Sequence, residues 1–302
     1  IPDRPVGDVP ELEFRSRTSH REWIERVEDV RAAIGRGELY QANLTRRLEA
    51  PFDGDPWAVY RQLRTGDPAL FAAYLALGRA QSSASAGLLD GPRAIVSASP
   101  EPFLAVDASR HVTTDPIKGT RPRGRSRPAD RTLLRELLAS AKDRAENTMI
   151  VDVVRNDLGR VAVPGSVRVP RLLRPERTAA VQHLVSTVVG DLAAGRDAFD
   201  LVAASFPGGS ITGAPKIRAM ELLDEWEPVR RGPYTGALGW FGPDGAMALS
   251  ILIRTFVADG SRLTLHVGGG ITWRSDAEAE WDETVAKAAG PLGAIGAHEV
   301  AS

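Results

Sequence analysis

Short runs of β-branched and other apolar residues recur throughout this 302-residue chain. Turn-forming residues close each run, and only a few helical segments lie between them. Such a rhythm excludes an all-helical fold. Strands often follow one another without an intervening helix, which also argues against a regular βαβ series and leaves an α+β protein built on antiparallel strands. Strands are predicted at Leu39 to Arg47, Leu70 to Leu77, Ala94 to Ala98, Phe103 to Val106, Val112 to Thr114, Val181 to Val189, Tyr234 to Trp240, Met247 to Phe256 and Arg262 to Val267. The clearest helix follows Ser19, where Glu22 completes a capping box and Trp23, Val27, Val30 and Ile34 form one apolar stripe; Gly35 and Gly37 end it. Further helices are predicted at Pro56 to Arg64, as one long element from Pro128 to Val154, at Asp197 to Ala204, up to Trp226 after a glycine-rich loop, and at Asp276 to Ala289. The Ser/Ala-rich patch from Ala80 to Gly87 reads as an irregular edge segment. With no repeat and no separating linker, residues 19–295 read as a single catalytic domain, 1–18 as a lead-in and 296–302 as a tail.

Bulk composition removes several function classes. A formal net charge of -1 speaks against nucleic-acid binding, and the Arg121 to Arg127 alternation is too short to change that. Cysteine is absent, so disulfides, thiolate metal sites and a cysteine nucleophile are excluded. No stretch is long and apolar enough to span a membrane, and no secretory pattern follows Ile1, which makes a cytoplasmic protein the expectation. Beginning at Ile1 rather than Met, the chain is expected to have had residues upstream.

Lysine is the informative rarity. It occurs only at 118, 142, 216 and 287, every other basic side chain being arginine, and a guanidinium cannot act as a neutral amine. Lys118 lies in Asp115-Pro116-Ile117-Lys118-Gly119-Thr120, where Pro116 fixes the approach, Gly119 frees the backbone and Thr120 offers a hydroxyl: a reactive lysine on a stiff bend. On predicted helices, Asp143 and Glu146 share one face, as do Glu280 and Glu283, with Lys287 a turn beyond. Paired carboxylates of this kind suit a hard divalent ion or plain surface salt bridging equally well. Gly208-Gly209-Ser210 with Thr212 and Lys216 resembles an anion cradle at a helix start, without the ending of a nucleotide P-loop. Gly268 to Gly270 reads as either a bare turn or a place where backbone meets ligand, and His183 as either structural or catalytic.

Taken together, Tyr40 to Thr45, Ser99-Pro100-Glu101, Pro116 to Thr120, Glu146-Asn147 through Arg160, Gln182-His183-Leu184, Phe206 to Lys216, Gly236 to Trp240, Ile253-Arg254-Thr255 and Gly268 to Lys287 resemble the chorismate-binding enzymes, in that family's order. The resemblance is strongest to the aminodeoxychorismate synthase component I branch. It implies antiparallel sheets forming a central sandwich flanked by helices, chorismate as substrate, and Mg²⁺ held by Glu146 and Glu283 with Asp143 and Glu280 adjoining. It also implies that Arg254, Tyr234, Gly269 and Gly270 bind the enolpyruvyl carboxylate, with Thr120 and Lys287 close to the substrate. Lys118 stands where anthranilate synthases have alanine; in the aminating branch this lysine attacks C2, and Glu101 protonates the hydroxyl leaving C4. His183 matches the histidine near the reaction centre. Lys118 is expected to be kept partly neutral by desolvation and by neighbouring positive charge such as Lys216. Gln41 cannot serve as the water-activating base that isochorismate synthases carry at that place. Ammonia is expected from a separate glutamine amidotransferase, because this chain lacks the cysteine that glutamine hydrolysis needs. The alternatives are an anthranilate synthase component I that tolerates Lys118, and a catalytically silent homologue acting as an interaction subunit.

Overall fold

The computed structural model describes residues 9–80, 91–177 and 181–300. In chain order the first elements are β1 (Glu13–Ser16), α1 (His20–Gly35), β2 (Gln41–Pro51), α2 (Pro56–Gly66), β3 (Phe71–Ala80) and β4 (Gly91–Ser99). Then come β5 (Pro102–Val106), β6 (His111–Thr114), β7 (Ile117–Pro122), α3 (Arg127–Ala139), α4 (Ala141–Gly159), β8 (Arg168–Arg177), β9 (Val181–Asp191) and α5 (Ala198–Ser205). A 3₁₀ turn at Gly209–Ile211 leads to β10 (Gly213–Ala214), α6 (Lys216–Trp226), β11 (Ala237–Phe241), β12 (Met247–Ile251), β13 (Thr255–Asp259), β14 (Arg262–Ile271), α7 (Ala277–Ala294) and β15 (His298–Val300). The α+β class therefore holds. The predicted edge segment lies, from residue 81 onward, outside the described residues.

The chain divides into two compact units of interleaved segments: residues 1–100, 217–236 and 252–302 form the first, and residues 101–216 and 237–251 the second. The sheet of the first unit runs β15-β1-β2-β14-β13-β4-β3, antiparallel except where β1 meets β15. Both ends of the chain thus supply strands, from stretches read as lead-in and tail. One core cluster gathers Phe14, Leu48, Leu63, Phe256 and Leu292; a second joins α1 to α6 through Trp23, Val27, Val30, Leu222 and Leu223. Fully burying each of these large side chains contributes about 1.5–3 kcal/mol. Ser19 and Glu22 form the expected capping box.

The sheet of the second unit runs β11-β12-β5-β6-β9-β7, with β8 paired to β9 as well. Its central strand, β9, buries Gln182, Leu184, Ser186 and Val188 on the alternation expected of a strand. Neither β7 nor β8 stands out in the sequence as a strand, since β7 carries Gly and Pro and β8 carries four arginines.

Three further differences have identifiable causes. The long helix breaks at Ser140, which caps the end of α3 and the start of α4 and accepts a hydrogen bond from the Asp143 amide at 3.2 Å; serine competes for backbone groups in this way. The strand predicted over Met247 to Phe256 is two strands, interrupted at Arg254, whose φ is 48°. The run Gly268 to Gly270 lies inside β14 and pairs with Thr45, Leu44 and Asn43 of β2, so it is no turn.

Candidate active site

In the second unit, Lys118 sits on β7 at a bulge in its pairing with β9: Lys118 lies opposite Leu184 and Thr120 opposite His183. Gly119 between them has φ 82°, and a Cβ there would stand 2.8 Å from the Cβ of Asp143 and 3.1 Å from Leu137 Cδ1. Glycine is required both for the backbone angle and for the close approach of β7 to α4. The bend expected from sequence is this bulge. It carries Thr120 Oγ1 to 2.9 Å from His183 Nδ1. Arg121 donates to Asp143 Oδ2 at 3.1 Å, and Lys142 lies 3.9 Å from Glu146 one turn along α4. Glu101 precedes β5, and its carbonyl accepts from the Ile251 amide.

The four lysines now separate. Lys142 faces Glu146, Lys216 lies 2.7 Å from Asp157, and Lys287 lies 2.6 Å from Glu283. Among the described residues Lys118 makes no ion pair; its Nζ donates to the neutral Ser210 carbonyl at 3.1 Å. Moving this side chain breaks no ion pair among the described residues. Lys216 does not supply the positive field expected of it, because its ammonium is matched by Asp157 and also donates to the Ser205 carbonyl at 2.7 Å. For the same reason the glycine-rich loop is not an anion cradle built around Lys216. Thr212 Oγ1 donates to the Gly208 carbonyl, closing the loop on itself. Burial raises the Asp157 carboxyl above the usual carboxylate range, and the Lys216 ammonium opposes the shift.

In the first unit, Gly269 on β14 leaves open the space that its Cβ would fill at 3.2 Å from Glu280 Oε2, 3.8 Å from Glu283 Oε1 and 4.0 Å from Lys287 Nζ. Glu280 is buried and accepts from Ser275 Oγ at 2.6 Å, while Lys287 also donates to the Gly268 carbonyl at 2.9 Å. At Gly270 a Cβ would collide with the amide of Gln41, 2.3 Å away; Gln41 is fully buried, and neither of its amide atoms has a hydrogen-bond partner among the described residues. Tyr234 stacks on His266 at 4.9 Å, and Arg254 lies 3.8 Å from Asp67. Burial, with Arg47 and Arg231 nearby, lowers the His266 imidazole to about 3, so the ring is neutral. His266 escapes sequence reading, and Asp157 and Ser210 enter it only inside longer motifs, with no pairing to Lys216 or Lys118 signalled.

The carboxylates of Glu280 and Glu283 beside Gly269 are hard oxygen donors, the kind a divalent ion such as Mg²⁺ takes. Two carboxylates and one ammonium around Gly269 leave a net negative cluster of oxygen donors. Among the described residues no three His, Cys, Asp or Glu side chains are grouped so as to hold a metal ion by themselves.

Residues 2–293 match the chorismate binding enzyme family. The chain belongs to that family. It is 46% identical over 274 residues to aminodeoxychorismate synthase component 1 of Salmonella typhimurium, covering 91% of this chain and 57% of that protein. It is 42% identical over 294 residues to anthranilate synthase component 1 of Synechocystis, covering 94% and 55% respectively. The crystal structure of anthranilate synthase component I from Streptococcus pneumoniae superposes with a TM-score of 0.82 at 34% identity, covering 94% of this chain and 60% of that one. The chain thus spans little more than half the length of these curated relatives. Among the described residues no helix is long and apolar enough to cross a membrane.

Proposed function

We propose that this chorismate-binding chain aminates chorismate at C4 to 4-amino-4-deoxychorismate, with Lys118 as a transient nucleophile. The observation that carries the reading is the segregation of the lysines: Lys118, on its bulge, bonds only a neutral carbonyl, while Lys142, Lys216 and Lys287 face carboxylates. The Lys118 amine adds at C2 while the hydroxyl leaves C4 as water, taking its proton from Glu101. Ammonia then bonds to C4, the C2–Nζ bond breaks with its electron pair going to Nζ, and the incoming nitrogen gives up a proton that returns to Glu101, so that both side chains end as they began. Chorismate plus ammonia thus becomes product plus water, with the enolpyruvyl group retained. The Thr120 bond sets the orientation of the His183 ring.

Glu146 and Glu283 are the proposed Mg²⁺ ligands, with Asp143 and Glu280 supporting them; the bound ion neutralises the ring carboxylate and the charge that develops as the hydroxyl departs. Tyr234, Arg254 and the Gly269–Gly270 backbone are assigned to the enolpyruvyl carboxylate, with Lys287 adjoining. Glutamine hydrolysis belongs to a separate amidotransferase, in keeping with the "component 1" in the relatives' names. The close anthranilate synthase relatives favour one alternative: formation of anthranilate with loss of pyruvate.

Purified protein given chorismate, Mg²⁺ and ammonium, followed by chromatography with mass detection, decides between them. A product that keeps the enolpyruvyl group and is absent with Lys118→Ala supports amination at C4. Anthranilate and pyruvate overturn it.

A further inference from the structure

Beside the Lys118 bulge the second unit carries a small, partly open cavity with about 20 Å³ of water-accessible space, room for a molecule of one heavy atom and far too small for chorismate. Its walls are largely carbon, including Phe103, Ile150 and Ile251, and Glu101, Asp157, Ser205 and Ser210 also line it. Ser210 is the residue whose carbonyl holds Lys118. Ser205 is 3% exposed, and among the described residues its hydroxyl has no hydrogen-bond partner. An unfilled buried hydroxyl is costly and marks a place where a small polar molecule belongs.

We propose that this cavity receives neutral ammonia, held by the Ser205 hydroxyl and the Ser210 carbonyl, and supplies it to C4, the carbon that the hydroxyl has left. The inference rests on the amination reading and adds to it the site of the nitrogen donor. Carbon walls disfavour ammonium, whose charge would lose its hydration. Asp157 does not compensate that loss, because its carboxylate is already paired with Lys216 at 2.7 Å. Ammonia is uncharged, accepts one hydrogen bond and donates three, so it can accept a hydrogen bond from the Ser205 hydroxyl while donating to a carbonyl that has a second lone pair. Burial that raises the Asp157 carboxyl is further evidence of a low-polarity pocket.

Two variants test the assignment. Ser205→Ala removes the donor. Gly208→Ala places a methyl 3.3 Å from Phe103 and 3.4 Å from Ile251, both cavity walls, on a backbone with φ -58° that tolerates alanine. Rates measured against ammonium concentration at saturating chorismate are expected to show KM for ammonium raised about tenfold in each variant, with KM for chorismate within about twofold of wild type. An ammonium KM unchanged in both overturns the proposal. Independently of turnover, wild-type protein in alkaline buffer is expected to broaden the ¹⁵N line of [¹⁵N]ammonia, and both variants to restore it. Absence of broadening by the wild type assigns the cavity to water and overturns the proposal. If chorismate is not aminated at all, the proposed function falls, and the ¹⁵N measurement still decides the cavity. Should Ser205→Ala fail to fold, Gly208→Ala carries both readouts.

Discussion

Acid should destabilise this protein through His266, and by an amount the structure allows to be worked out. The ring is 5% exposed on β14, opposite Arg47 in the β2 register, and stacked on Tyr234. Burial first, then Arg47 and Arg231, lower its imidazole from 6.5 to about 3. An unfolded chain therefore binds a proton below pH 6.5 that the folded chain refuses until about pH 3. Stability is complete above the unfolded value and is lost as pH falls through it toward the folded one. Between pH 6.5 and 5 the loss is about 1.5 units at 1.36 kcal/mol each, or about 2 kcal/mol. His266→Phe keeps an aromatic ring against Tyr234 and cannot titrate. Urea unfolding of both proteins at pH 7, 6 and 5 should show the wild type losing about 2 kcal/mol more than the variant across that range. Parallel pH slopes would show that His266 takes up its proton in the folded state, and would refute the argument.

Other substitutions test other parts of the structure. Gly119→Ala forces a side chain to φ 82° and to 2.8 Å from Asp143 Cβ, so thermal unfolding should reveal a loss of about 1–3 kcal/mol together with collapse of turnover; a wild-type melting temperature counts against the bulge geometry. Arg46 is fully buried, donates to Glu299 at 2.5 and 3.0 Å and lies 4.3 Å over the Trp281 ring. Arg46→Met should therefore cost about 3–5 kcal/mol in urea unfolding, with partial recovery when Glu299→Gln is added; no loss would mean that β15 is held by other contacts. Glu283→Gln should raise the Mg²⁺ concentration for half-maximal turnover at least about tenfold, since it removes a charged oxygen donor; an unchanged Mg²⁺ requirement removes Glu283 from the metal assignment.

Local signals read well wherever the physics was local. The Ser19–Glu22 capping box, the apolar stripe of α1 and the alternation of β9 all follow from neighbours within one turn or two residues. The strands β7 and β8 did not read, because Gly119, Pro122 and the arginines of β8 go against strand propensity and their backbones are held by β9. The break at Ser140 inside the long predicted helix does not read from sequence, because its capping hydrogen bond competes with a continuous apolar pattern. The run Gly268 to Gly270 was read as a possible turn, although glycine was needed there to let Gln41, the Leu44 carbonyl and the acidic side chains of α7 approach β14.

By itself, the sequence determined the α+β class, the family, and the shortlist of acids and lysines, because these rest on periodicity and on motifs of fixed spacing. Only the tertiary structure decided how the charges are matched. Lys216 is neutralised by an acid 59 residues away in the chain, whereas Lys118 meets a carbonyl 92 residues away. No local pattern encodes such pairings. They arise when strands and loops distant in sequence are packed together, and burial then makes each unmatched charge too costly to keep.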